Sequence, residues 1–268
     1  MVSLKEKPDG SIMKSIDSNK TTNELIAFTK NAFKKEGYTD AVIGLSGGID
    51  SATSCAVAIR ALGVGHVFPV LMPYGALNDQ GTKDARMVID WLKISEKHVR
   101  TVNIQPMVDA AVNTIDAAMD EGRRGNIMAR MRMVVLYDLA KVLRALVIGT
   151  ENKTEHLLGY YTKFGDEASD IEPLRSLYKT QVYELARCLS VPKKILVKPP
   201  TAGLWEGQTD EGEFGFTYRD VDEVLSLHFE QHVSKEAIIK KGHDAKTIKR
   251  MWWWIEKGKF KDRLPVVL

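Results

Sequence analysis

Apolar residues recur at helical spacing over residues 22–35, where Leu25, Phe28 and Ala32 fall at i, i+3 and i+7 with Ile26 and Phe33 beside them. Gly37 supplies the stop. A short unbroken apolar run at 41–45 reads as a strand and is followed by a Gly/Ser turn and a helix over about 51–62. A second strand is expected at 67–71, a polar stretch at 76–83, and a helix through Ala85, Val88, Ile89 and Leu92. A third strand at 99–104, a long helix from Gly125 to about Leu143 and a fourth strand at 145–148 continue the alternation. Strands alternating with helices imply parallel β-α-β units with right-handed crossovers. The expected fold is therefore α/β: a Rossmann-like open parallel sheet flanked by helices.

After Thr150 the periodicity loosens. Residues 159–178 and 198–218 read as long loops, separated by a helix over 179–189, and 220–228 and 234–257 read as C-terminal helices. Loops of this length in a compact chain are more often functional than not. No internal repeat is visible. One domain is expected over 1–268, with a polar lead over 1–20 and a helical elaboration over 220–268.

Composition narrows the class. With 44% hydrophobic and 27% charged residues the chain can build a substantial core. A net charge of +3, with acids and bases mixed, offers no basic stripe for nucleic acid. Cys55 and Cys188 are far apart in sequence, form no C-x-x-C and read as buried reduced thiols. The polar N-terminus has no apolar segment of signal-peptide length, and no run is long enough to span a bilayer. A cytoplasmic protein with no membrane partner is expected.

The chemistry concentrates at Gly44-Leu45-Ser46-Gly47-Gly48-Ile49-Asp50-Ser51. In open parallel sheets ligands bind at the carboxyl ends of strands. Gly47 and Gly48 allow a tight turn and close backbone approach, the following helix start attracts anions, and Ser46 and Ser51 add hydroxyls. Asp50 would repel a phosphate unless a Mg²⁺ ion lay between them. The competing reading is a plain glycine turn with Ser or Asp as helix N-cap. The string lacks the lysine of the P-loop and is not G-x-G-x-x-G.

S-G-G-I-D-S resembles the pyrophosphate-binding loop of the ATP pyrophosphatases, also grouped as adenine nucleotide alpha hydrolase-like proteins. These enzymes split ATP between the α and β phosphates to adenylate a substrate oxygen before a nitrogen or sulfur nucleophile attacks. The loop alone does not choose among GMP synthetase, asparagine synthetase, argininosuccinate synthase, tRNA thiolases and NAD synthetase. Four further stretches do: GNIMARMRM at 125–133, IGTENKTEHLLGYYTKFGDEASDIEPL at 148–174, LYKTQVYELAR at 177–187 and KPPTAGLWEGQTDEGEFGFTY at 198–218 are similar to ammonia-dependent NAD synthetase. The resemblance implies the reaction deamido-NAD⁺ + ATP + NH₃ → NAD⁺ + AMP + pyrophosphate, through an NAD-adenylate.

Carried over position by position, the resemblance assigns residues 44–51, Thr150, Lys179 and Thr201 to ATP, which is a cosubstrate, and Asp50 and Glu155 to Mg²⁺. Arg130, Lys163, Asp170 and Lys261 fall on deamido-NAD⁺ positions, and Asp50, Lys179 and Asp170 on the catalytic ones, Asp170 also as a group that could orient or deprotonate ammonium. A lysine in the first turn of a helix is unfavourable with the dipole, which argues that Lys179 is placed for function; Glu155 in such a turn is favourable, and the arginines at 123, 124, 130 and 132 could equally be a solvated face. Phe260 stands where the family often has histidine, so only Lys261 carries over from that pair.

A reactive adenylate needs water excluded. Loops at about 76–84 and 160–170 are expected to order over the substrates, with Gly75, Gly81, Gly159 and Gly165 giving them freedom. The family is typically a homodimer with substrate near the interface, and Trp252–Trp254 are expected in packing or a subunit contact. No glutamine amidase domain is expected, which leaves ammonia as the nitrogen donor, either free or supplied by a separate amidase protein. The alternatives are a tRNA-modifying thiolase, for which two separated cysteines and a charge of +3 fit poorly, and a catalytically silent nucleotide-binding protein, which would not need Asp50, Glu155 and Lys179 together.

Overall fold

The structure is a computed structural model and describes residues 15–263. Helix α1, Ser18–Glu36, starts four residues earlier than its apolar stripe because Asp17 caps it, accepting from Lys20 N, and it stops at Gly37 in the left-handed region at φ 77°. Strand β1, Asp40–Gly44, runs into helix α2, Ile49–Leu62. Strand β2, Val67–Leu71, is followed by a short 3₁₀ turn and helix α3, Asp79–Trp91. Strand β3 is only Arg100–Thr101, and helices α4, Gln105–Ile115, and α5, Glu121–Leu143, lead to strand β4, Ala145–Ile148.

The sheet order is β3-β2-β1-β4, all parallel. Ala41 aligns with Val67 on one side and Leu146 on the other, so β1 is the central strand from which the chain winds in both directions. The crevice at the carboxyl ends of β1 and β4 is thus the switch point where open α/β sheets bind ligands. The side chains of β1 alternate between two cores, as period 2 requires. Ala41 and Ile43 join the core that includes α1 and α2, whereas Val42 packs with Val70, Val147 and the α5 residues Leu136 and Leu139.

Small residues along α2 let it lie close to the sheet, and Cys55 is fully buried there with its thiol pushed up to about 12 by burial. Cys188 differs from the expectation: it ends helix α7, Lys179–Cys188, and is only partly buried.

Beyond β4 come α6, Lys153–Leu158, then α7, α8, Lys193–Leu196, α9, Asp210–Phe214, α10, Tyr218–Leu225, α11, Lys235–Lys240, and α12, Ala245–Gly258. These carry a separate aromatic core. Phe214 contacts Tyr160, Phe216, Tyr218 and Trp254, and Met251 and Ile255 come from α12. Of the tryptophan run, Trp254 packs in this core, Trp252 packs on His228, and Trp253 faces outward beneath Lys257.

The expected loop at 76–84 is corrected. It is a 3₁₀ turn and the first turns of α3, and Gly81 lies inside that helix, serving close approach rather than freedom. A Cβ on Gly47 would stand 2.5 Å from Gly81 O, and one on Gly81 3.0 Å from Ser46 O, so α3 rests directly on the Gly/Ser loop.

Candidate active site

Leu45 N donates to Val70 O, extending the ladder one residue past β1 before the chain turns. Gly47 then takes φ 75°, a conformation that a side chain would strain. The two serines brace the turn: Ser51 Oγ donates to Gly48 O at 3.1 Å and lies 3.1 Å from Ser46 Oγ, which accepts from Gly48 N. The N-cap of α2 is Gly48, and no side chain caps the helix. The plain-turn reading required a Ser or Asp cap. Instead no side chain takes the first N–H groups of α2, the kind of helix start that can accept an anion.

Asp50, in the first turn of α2, points away from capping. Its Oδ1 accepts from Asn152 Nδ2 at 3.0 Å and its Oδ2 from Lys179 Nζ at 2.6 Å. Asn152 caps α6 in a capping box with Glu155, and Glu155 Oε1 accepts from the same lysine at 3.0 Å. Glu155 therefore sits at a helix terminus, where its charge is favourable, and also contacts Lys179. Lys179 opens α7 and is buried, with its backbone N–H satisfied by Thr154 Oγ. Its ammonium lies 4.9 Å from the centre of the Tyr218 ring, and Tyr218 in turn donates to Asp210.

The electrostatics are strongly coupled. Burial alone would pull the Lys179 ammonium down, but the carboxylates of Asp50, Glu155 and Asp210 overcome it and hold it well above its ordinary value. Burial pushes Glu155 up to about 8, with Lys179 opposing and Asp50 and Asp210 reinforcing that rise. Asp210 is likewise raised, chiefly by burial.

The carboxylates of Asp50 and Glu155 both accept from the Lys179 ammonium, offer oxygen ligands only, and keep some exposure at 17% and 16%. That suits a hard cation completed by phosphate oxygens and water. Among the described residues no cluster of three or more acids, histidines or cysteines forms an all-protein cage.

Arg130, Lys163 and Lys261 gather at a second place, around the loop after α6. Arg130 donates to Lys163 O at 3.2 and 3.3 Å. Lys163 Nζ donates to Arg263 O and Phe260 O, and Lys261 Nζ to Gly159 O and Tyr161 O, a reciprocal clasp between loop and C-terminal turn. Beside it lies a cavity of about 200 Å³ lined by Tyr161, Lys163, Phe164, Arg175 and Lys261, among others.

Asp170 lies elsewhere, at the β4 edge, where its Oδ2 accepts from Val147 N at 2.7 Å. Thr150 follows β4, partly buried, and Thr201 Oγ accepts from Gly203 N in an exposed turn. The arginines divide. Arg123 pairs with Asp116 at the surface, but Arg132 is no solvated residue: it donates to Met72 O and Asn78 Oδ1, tying α5 to the end of β2.

Sequence reasoning missed Asn152, Asp210, Tyr218 and Asp222. Asp222 is fully buried, accepts from Thr154 Oγ1 and Thr180 N, and so fixes the start of α7 beneath Lys179. The capping-box spacing N-x-x-E at 152–155 was the one readable signal.

A switch-point loop with an open helix start, next to an acid-lysine cluster, defines a nucleotide-binding α/β protein. The family described as NAD synthase matches residues 21–265, and the chain belongs to that family. It is 42% identical over 243 residues to an NH(3)-dependent NAD(+) synthetase of Chlorobaculum tepidum, covering 91% of this chain and 86% of that one. It is 41% identical over 255 residues to the protein of the same name from Thermococcus kodakarensis, covering 95% and 98%. Among solved structures, NH3-dependent NAD synthetase from Campylobacter jejuni aligns with a TM-score of 0.80 at 31% identity, covering 95% and 100%. NMN synthetase from Francisella tularensis aligns with a TM-score of 0.83 at 34% identity, covering 95% and 99%.

Proposed function

We propose that this chain amidates deamido-NAD⁺ to NAD⁺ with ammonia at the expense of ATP, releasing AMP and pyrophosphate. The carrying observation is Lys179 buried between Asp50 and Glu155 at the phosphate loop of an NAD synthase family chain. A carboxylate is a poor electrophile. Its oxygen attacks the α-phosphate, pyrophosphate leaves, ammonia adds to the adenylate carbonyl, and AMP departs with the substrate oxygen.

In this reading residues 44–51, Thr150 and Thr201 bind ATP, and the Lys179 ammonium offsets charge growing toward the leaving pyrophosphate. Asp50 and Glu155 would hold Mg²⁺, which supplies Lewis-acid neutralisation of phosphate charge when bound. Arg130, Lys163 and Lys261 take the dinucleotide, the two lysines through the clasp that shapes the loop, while Asp170 serves dinucleotide or ammonium. Residues 1–268 are read as one synthetase domain, cytoplasmic and dimeric; no described helix is long and apolar enough to cross a membrane.

The test is to incubate the protein with ATP, Mg²⁺, ammonium and either deamido-NAD⁺ or nicotinic acid mononucleotide, and to quantify products by mass spectrometry. NAD⁺, AMP and pyrophosphate in equal amounts are expected with the dinucleotide. ADP in place of AMP, or amidation of the mononucleotide alone, would reject the reading. Loop 160–170 is assigned to shielding the adenylate, and hydrogen exchange should slow there when both substrates bind.

A further inference from the structure

We propose that Lys198, with Lys194 as a weaker second, forms another cationic wall for the departing pyrophosphate, held against the phosphate loop by the buried carboxylate of Asp84. The inference rests on the reaction proposed above.

Asp84 lies on α3 where that helix touches the loop. A Cβ on Gly47 would stand 2.8 Å from Asp84 Cβ and 2.7 Å from Ala85 N. The Asp84 side chain is only 2% exposed, and a buried carboxylate next to a phosphate site is repulsive unless it serves cations. It serves two. Lys198 Nζ lies 2.8 Å from Oδ2 and Lys194 Nζ 3.1 Å from Oδ1, and Gln80 Nε2 also donates to Oδ1 at 2.8 Å. Burial pushes the Asp84 carboxyl up, but the hydrogen bonds from Lys198, Lys194 and Gln80 outweigh it and hold it below its usual range.

One carboxylate needs one ammonium for neutrality, so the corner carries a net positive charge. An ammonium has three donors, and Asp84 uses one from Lys198, whose side chain remains 25% exposed. Lys194, at 56%, is the less organised of the two. Asp50 in the same loop holds a second lysine, Lys179, there shared with Glu155. Negative charge developing on the β-phosphate would then meet a fixed cation from each pair, which is where preorganised charge lowers a barrier. Lys198 also begins the segment leading to Thr201, so its anchorage fixes the start of that segment.

The experiment is calorimetric titration of inorganic pyrophosphate, with magnesium present, into the wild type, Lys198→Met, Lys198→Arg and the double variant Asp84→Asn/Lys198→Met. Loss of one charge-assisted contact should weaken binding about tenfold in Lys198→Met, and Lys198→Arg should recover most of it. The double variant leaves no buried carboxylate unpaired and no change in net charge, yet should show the same loss, with deamido-NAD⁺ affinity unchanged. Wild-type pyrophosphate affinity in the double variant would overturn the inference, because Lys198 would then serve only to neutralise Asp84. A wild type that forms no NAD⁺ would instead remove the reaction on which the inference rests.

Discussion

Lys179 stays charged in a buried position because three carboxylates, Asp50, Glu155 and Asp210, surround it. Removing it exposes their mutual repulsion. Lys179→Met should lower kcat by about 10²–10³ and also cost about 3–5 kcal/mol of stability, both read in one preparation by steady-state assay and urea unfolding. Asp50→Asn keeps a polar partner for Asn152 and should lose turnover with a much smaller change in stability. A second acid makes a pH-dependent contribution. Burial, with the Glu151 charge nearby, pushes Glu172 from 4.5 up to about 8 while Ser169 Oγ donates to it. The folded form then holds a proton that the unfolded chain gives up, so the stabilisation is complete below about pH 4.5 and is lost as pH rises through 8. Glu172→Gln should flatten a slope of at most about 1.4 kcal/mol per pH unit in the unfolding free energy, read from urea melts at pH 5 to 8. Asp50 and Lys179 were legible because they sit in contiguous strings with a chemical logic. Asn152, Asp210 and Tyr218 were not, since each is an ordinary polar loop or helix residue until tertiary contact brings it to Lys179.

Elements defined by hydrophobic pattern emerged where that pattern reports burial. β2 and β4 coincide with their apolar runs, being flanked by packed layers on both faces. β3 shrank to two residues, both exposed, because only Val70 and Leu71 pair with it. α4 went unread although Val108 and Val112 mark its inner face and a proline its start. The 234–257 segment is two helices because Gly242 takes φ 103° between them. Close backbone approach is also invisible to pattern. α12 ends against the C-cap of α6 so tightly that a Cβ on Gly258 would lie 2.6 Å from Gly159 Cα and 2.7 Å from Leu158 O. Gly258→Ala should therefore cost about 1–3 kcal/mol by overpacking, seen as a lower denaturant midpoint with unchanged m. It should also loosen the Lys163–Lys261 clasp, raising KM for deamido-NAD⁺ more than KM for ATP.

At the scale of the molecule, the α/β half carries the Gly/Ser loop and the C-terminal part carries Asp210, Tyr218 and one side of the clasp, so the candidate site exists only where the two cores meet. That union depends on long-range contacts such as Thr154 with Asp222 and Lys261 with Gly159, which no local spacing announces. The proposed dimer can be tested on one exposed face. On α5, Asn126, Arg130 and Val134 are exposed at successive i, i+4 positions, and Val142 is 70% exposed near the end of the same helix. A second copy of the chain covering this stripe would bury Val134 and bring Arg130, with the Lys163 loop it holds, to the seam. Light scattering should then give twice the 30.0 kDa chain mass. Val134→Glu places a charge in the covered face, at a cost of several kcal/mol to association, and should shift the protein to monomer with its circular dichroism unchanged. If the active site draws on the seam, the monomer should lose deamido-NAD⁺ affinity at least about tenfold while keeping ATP affinity within about threefold. A wild type that is monomeric at assay concentration, or a Val134→Glu monomer with full dinucleotide affinity, would separate the site from any dimer.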